Sequence, residues 1–275
     1  MSSRYNFETV KVTVNTDGIA HFQLNRPKKL NAFSPQQIRD VGDAFRAIGD
    51  DEDIKVVVAS GAGRMFTAGL DLSETPFSKS PSADPARAAY QNRAMLRAIQ
   101  ETFTAIENCR QPVIAAVHGG CMGAGAAFVT ACDIRYCTED AFFSVKEIDV
   151  GLAADVGTLQ RLPKIIGNGS LVRELCYTGR NLYSKEALDC GFVNRVEKNL
   201  DACLAEAFNL AKTITSKSPV ALVGTKHFLN YSRDHSVAEG LAEAVTWNAA
   251  MLNTEDIPKS IQSFMDKQPP KYSKL

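Results

Sequence analysis

Residues 112–136 read PVIAAVHGGCMGAGAAFVTACDIRY. A proline opens the stretch, and the apolar run VIAAV after it is short, a pattern that suits a strand buried on both faces. That run stops at His118-Gly119-Gly120, and a helix-like GAGAAFVTACD follows. The same order occurs earlier, where IKVVVAS at 54–60 ends in Gly61-Ala62-Gly63. Strand, glycine turn and helix thus repeat, which predicts an α/β fold stacked from ββα-type units.

Working outward, residues 8–24 (ETVKVTVNTDGIAHFQL) alternate apolar and polar on both sides of Asp17-Gly18, a hairpin signal. A helix is expected from the Ser34-Pro35 pair to about Ile48, with Ile38, Val41 and Phe45 on its apolar face. Residues 77–85 are rich in Ser, Pro and Asp and read as a loop, and 86–108 as a long helix. A third unit starts at DIRYCTEDAFFSV and turns helical near Val156. Beyond Ser218-Pro219 the chain reads as helical, with amphipathic stretches at 219–231 and 236–252 and the single Trp247. The expected organisation is therefore a core over 1–212 and a helical region over 213–275 suited to oligomerisation.

The 275 residues include 31 basic and 31 acidic side chains, so no net field recruits nucleic acid or an anionic membrane. No run approaches the ~18 apolar residues of a membrane helix, and the first residues, MSSRYNFETV, lack a leader pattern. Seven cysteines are scattered singly with no CxxC pair, the pattern of reduced intracellular thiols rather than a metal site. The last three residues, Ser273, Lys274 and Leu275, spell the receptor-read peroxisomal address, so a peroxisomal location and an import receptor as partner are expected.

A strand that ends in glycines and feeds a helix presents backbone N–H groups with no internal acceptor, and such groups bind anions. In GAGRMFTAGLD (61–71) a dinucleotide fingerprint would need glycine where Phe66 stands, and no acidic residue ends a following strand at the right distance. A Walker lysine and a nucleophile elbow are also missing. Two such turns could each supply one N–H to a single oxygen, making an oxyanion hole.

The runs NRPKKLNAF (25–33), MFTAGLDL (65–72) and 112–136 together resemble the enoyl-CoA hydratase/isomerase, or crotonase, superfamily over nearly the whole chain. Within it, FFSVKEIDVGLAADVGTLQRLPKIIGN (142–168), SKSPVA and YSRDHSVAE look most like the dienoyl-CoA isomerases. The resemblance implies a crotonase-like spiral of ββα units, a C-terminal helical region that builds trimers or hexamers, and a coenzyme A thioester as substrate. It implies no cofactor beyond the coenzyme A of that substrate. Ala68 and Ala124 match the oxyanion-hole donors, and Gly69, Leu70, Asp71 and Leu72 would line the acyl-CoA channel with Ala68. Lys28 and Lys29 fall in the loop that resembles the coenzyme-contacting segment, where a solvated loop is the alternative.

Glu147 and Asp155 bracket a nearly apolar stretch. By resemblance Glu147 takes a proton at C2 and Asp155 gives one at C6, moving a 3,5-diene to 2,4. An apolar wall suits this, because it lets one carboxyl wait as a neutral acid. The plain alternatives are an exposed strand-end charge beside Lys146 for Glu147, and a cap on the helix expected at Val156 for Asp155. The family's third acidic position falls on Ala127, which carries no proton; this argues against hydration, which uses two glutamates around one water. It also leaves open a binding form of reduced activity, or a 3,2-enoyl-CoA isomerase needing one carboxylate. His118 is expected to be a turn residue, Cys121 a buried thiol, and His227 and His235 to face solvent or a neighbouring subunit.

Overall fold

A computed structural model describes residues 3–74 and 84–275; most of the loop expected at 77–85 lies outside them. The hairpin forms, with β1 (Val10–Val14) antiparallel to β2 (Ile19–Leu24) and Val12 opposite Phe22. Helix α1 (Pro35–Gly49) begins where Ser-Pro predicts, since Ser34 Oγ accepts from the Gln37 N–H at 3.2 Å. Next come β3 (Val56–Gly61), the long α2 (Pro85–Asn108) and β4 (Val113–Val117). The second glycine turn holds a short strand that the sequence reading passed over, β5 (Gly120–Met122), before α3 (Ala124–Ala131). In the third unit β6 (Ile134–Thr138) and β7 (Phe142–Ser144) lead into a 3-10 turn, Lys146–Val150. The helix expected at Val156 starts at Thr158 and is a single turn, α4 (Thr158–Arg161).

The chain goes on through α5 (Gly169–Thr178), β8 (Leu182–Tyr183), α6 (Ser184–Asp189), β9 (Arg195–Glu197) and α7 (Leu200–Thr215). Strands pair as β1-β2-β3-β4-β6-β9 in one sheet and β5-β7-β8 in another. A unit thus gives its first strand to the large sheet and its second to the small one, β4 then β5, β6 then β7. In the first unit the small-sheet strand shrinks to one bridge, Thr67 to Cys121. This is the expected α/β spiral.

The central strands are apolar throughout because both faces of the large sheet are covered. Val57, Ala59, Val113, Ala115 and Val117 face a core with Phe22, Phe45 and Phe128, while Val56, Val58, Ile114 and Ala116 meet α7. Helix α7 presents Cys203, Ala207 and Ala211, small side chains that let it lie close. The division expected near residue 212 falls within this helix, and the chain leaves the sheet after Thr215. The Phe128 ring lies 5.5–5.9 Å from those of Phe22, Phe45 and Phe66, so one side chain of α3 braces the segment after the first glycine turn.

Beyond it, α8 (Pro219–Tyr231), α9 (Val237–Met251) and α10 (Asp256–Asp266) form the helical region. It exposes Val237, Leu241, Val245, Phe264 and Met265. All seven cysteines are free. Among the described residues no helix is long and apolar enough to cross a membrane.

Candidate active site

The two glycine turns lie against each other. Thr67 N donates to Gly120 O at 3.0 Å, Met122 N to Thr67 O at 3.2 Å, and Phe66 N to His118 O at 2.8 Å. Gly69 has a φ of 87°, and a Cβ there would stand 2.8 Å from Met122 O, so this close approach needs glycine. The first turn is braced by Asn31, a fully buried amide that its neighbours Leu30 and Ala32 conceal in the sequence. Its Nδ2 donates to Ala62 O, Met65 O and Phe66 O at 2.7–3.1 Å. Sequence reasoning missed this residue; the signal was a lone amide in an apolar run.

The backbone donors differ from expectation at one position. The Ala68 N–H donates to Leu30 O at 2.9 Å and is therefore engaged. Phe33 N donates to Gly69 O at 2.7 Å and Asp71 N to Phe33 O at 3.0 Å, while the N–H of Leu70 between them has no acceptor among the described residues. The free donor of this turn is thus Leu70, two residues after the expected one. In the second turn Gly123 takes a φ of 52° and Ala124 is the first residue of α3, so its N–H has no acceptor within the helix. Ala68, Gly69, Leu70, Gly123 and Ala124 all border one cavity of about 150 Å³.

Leu72 also borders it, but Asp71 does not. Its carboxylate accepts from Ser73 Oγ at 2.6 Å and pairs with Arg26 at 3.1 Å, which corrects its assignment to the channel wall. The Ser73 hydroxyl first, with the Arg26 guanidinium adding to it, holds the Asp71 carboxyl below its ordinary value. Lys28 and Lys29 are exposed on a 3-10 turn outside the cavity wall.

Glu147 and Asp155 both border the cavity, with Ile38, Ile99, Phe103, Val150, Leu152 and Val156 forming apolar wall. Glu147 projects from the 3-10 turn over Gly123, where a Cβ would lie 3.6 Å from its Oε1. Its Oε2 is buried with no hydrogen-bond partner among the described residues. Burial pushes the Glu147 carboxyl above its ordinary value, and the charge of Asp155 adds to the rise. Burial likewise raises Asp155. Asp155 caps no helix: the N-cap of α4 is Gly157, and it makes no side-chain cap bond. Glu147 is half-buried in the cavity wall, not an exposed strand-end charge. Ala127 is fully buried in α3 and is not among the residues that border the cavity.

His118 Nε2 bonds Gly63 O at 2.8 Å, so it carries the proton and braces a turn. Burial raises the Cys121 thiol well above its ordinary value, which leaves it a poor nucleophile. His227 stacks on Trp247 at 4.5 Å and His235 on Tyr231 at 3.7 Å, both within the helical region itself. No group of three His, Cys, Asp or Glu among the described residues could hold a metal ion.

The sequence profile described as enoyl-CoA hydratase/isomerase matches residues 15–274. This chain belongs to the enoyl-CoA hydratase/isomerase family. Among its relatives in that family is the mitochondrial Delta(3,5)-Delta(2,4)-dienoyl-CoA isomerase of Rattus norvegicus, 52% identical over 99% of this chain and 85% of the rat protein. The peroxisomal enzyme of the same name from Arabidopsis thaliana is 42% identical over 95% of both chains. Of solved structures in the family, an enoyl-CoA hydratase from Bacillus anthracis superposes with a TM-score of 0.87 at 28% identity, covering 96% of this chain and 99% of that one.

Proposed function

We propose that the chain isomerises 3,5-dienoyl-CoA to 2,4-dienoyl-CoA. The observation that carries this reading is the pair of raised carboxyls, Glu147 and Asp155, on one apolar cavity whose end holds two unengaged backbone N–H groups. Relatives named for that reaction support it.

The thioester carbonyl accepts from the N–H groups of Leu70 and Ala124. Glu147 removes a C2 proton, and the C2–H electron pair becomes part of a trienolate whose charge those donors stabilise. Asp155 protonates C6, the pair shifts back along the chain, and the double bonds come to rest at C2 and C4 in conjugation with the thioester. Electrons and protons balance with no oxidant or reductant, so the only coenzyme the reaction calls for is that of the substrate. Like charges on one cavity disfavour two ionised carboxylates, which suits a base and an acid that share one proton.

Ala127 favours a second reading, a form that binds the thioester and turns it over slowly. Helix α3, which starts just after the Gly123 beneath Glu147, carries no acidic side chain, and the buried Oε2 of Glu147 is unpartnered among the described residues. Conversion of a 3,5-dienoyl-CoA, followed by ultraviolet absorbance of the 2,4-dienoyl thioester, is the test, on this chain and on Ala127→Asp side by side. Turnover by the parent establishes the two-carboxyl relay; binding without turnover, restored in the aspartate variant, establishes the second reading; conversion of 3-enoyl-CoA alone by both overturns the dienoyl assignment.

The exposed apolar side chains of α9 and α10 suit contacts between copies in a trimer or hexamer. Ser273, Lys274 and Leu275 would carry the chain to the peroxisome through an import receptor, and the peroxisomal Arabidopsis relative supports that address.

A further inference from the structure

Asp155 occupies a stretch with little backbone bonding. Leu152 N donates to Glu147 O and Arg161 N to Gly157 O, but among the described residues no backbone N–H of residues 153–156 reaches an acceptor in another residue. Ala154 and Val156 anchor the stretch by burial. From outside, Gln100 Nε2 donates to Asp155 O at 2.7 Å.

Gln100 lies on α2, whose Ile99 and Phe103 form cavity wall. Further along, at the spacing of one helix face, Thr104 and Glu107 accept from Arg161, with Arg161 Nη2 to Glu107 Oε2 at 2.7 Å. Arg161 is buried, and it fixes the far end of the segment. At the near end, where Asp155 stands between the buried Ala154 and Val156, Gln100 adds a hydrogen bond to the main chain from the exposed side.

We propose that Gln100 is a positioning residue for proton delivery at C6, holding the main chain of Asp155 against α2, whose Ile99 and Phe103 line the cavity. The proposal rests on the reading of Asp155 as the acid. A carbonyl held at hydrogen-bond distance fixes the Cα from which the short aspartate side chain projects. An acid displaced by about 1 Å loses roughly a hundredfold in rate.

The test is Gln100→Met, which keeps the side-chain length and removes the donor, made in the parent chain and in Ala127→Asp so that a slow parent hides nothing. Conversion of 3,5-dienoyl-CoA, KM and C2 proton exchange in heavy water are measured together. The expected result is a fall in kcat of about ten- to a hundredfold, with KM and C2 exchange within about twofold of the starting chain. Conversion within twofold of the starting chain overturns the proposal, and so does a parallel loss of conversion and C2 exchange, which marks a general structural role. Asp155→Asn, measured alongside, separates the two levels. If it still converts, the acid assignment itself fails; if it is inert while Gln100→Met is normal, only the positioning role fails.

Discussion

The two glycine turns reach the same end by different means. The second turn frees its donor through its own backbone: Gly119 and Gly123 take positive φ, and α3 starts at Ala124, whose N–H has nowhere to go within the helix. The first turn relies on residues far away in sequence. Asn31 holds three of its carbonyls, Arg26 ties down Asp71, and Phe33 takes the groups on either side of Leu70. One donor is a property of a helix start, and the other of a network, so the two turns should fail differently.

The largest effect leaves both turns intact. Glu147→Gln should lower conversion by about 10²–10⁴-fold and abolish C2 exchange while acyl-CoA binding, titrated directly, is retained. Wild-type exchange in this variant would remove Glu147 from the role of base. Breaking the first turn comes next: Asn31→Ala strips the donor from three carbonyls and should cost about 2–3 kcal/mol in denaturant unfolding, with weakened thioester binding. Ala124→Gly strikes the second turn and should do far less, under about 1 kcal/mol, with thioester affinity within about twofold, because the donor is backbone. Equal damage from both substitutions would erase the contrast between network and helix start.

The carboxyls add a pH signature. The proposed relay needs Glu147 ionised and Asp155 protonated, and burial raises both, so the rate profile should be a bell with both limbs above the ordinary carboxylate range. For stability the sign is opposite to that of a salt-bridged acid. A raised carboxyl keeps its proton in the folded state after the unfolded chain has lost it, so stability falls as pH rises through that window. Glu147→Gln removes this loss. It should therefore raise the melting temperature at neutral pH, and the advantage should vanish below the ordinary glutamate range.

The fold was legible wherever pattern is local. The run VIAAV and its neighbour IKVVVAS announce strands covered on both faces, and Ser34-Pro35 marks a helix start to the residue. The three-residue β5 was not legible, since its partner β7 lies more than 20 positions on and Gly-Cys-Met has no period to read. Glu147 and Asp155 stood out as charges bracketing an apolar stretch, and the structure brings them to one cavity. Which amide of the first turn is free was beyond the sequence. It depends on whether Leu30 O or Phe33 takes each group, a matter of chain crossing rather than residue type. The Asp71 carboxylate misled for the same reason, because Arg26 approaches it across the fold.

Placing one carboxyl at each end of the transferred diene has a consequence for the protein itself. On the proposed relay a single turnover leaves Glu147 protonated and Asp155 ionised, so the polypeptide ends each cycle as a tautomer of the form that began it. The pair resets when one proton passes from Glu147 to Asp155, directly or through the medium. On this relay each hydrogen gained at C6 comes from one carboxyl of the protein and the substrate's own C2 hydrogen passes to another: the isomer is internal to the substrate by formula and not by one shifted atom.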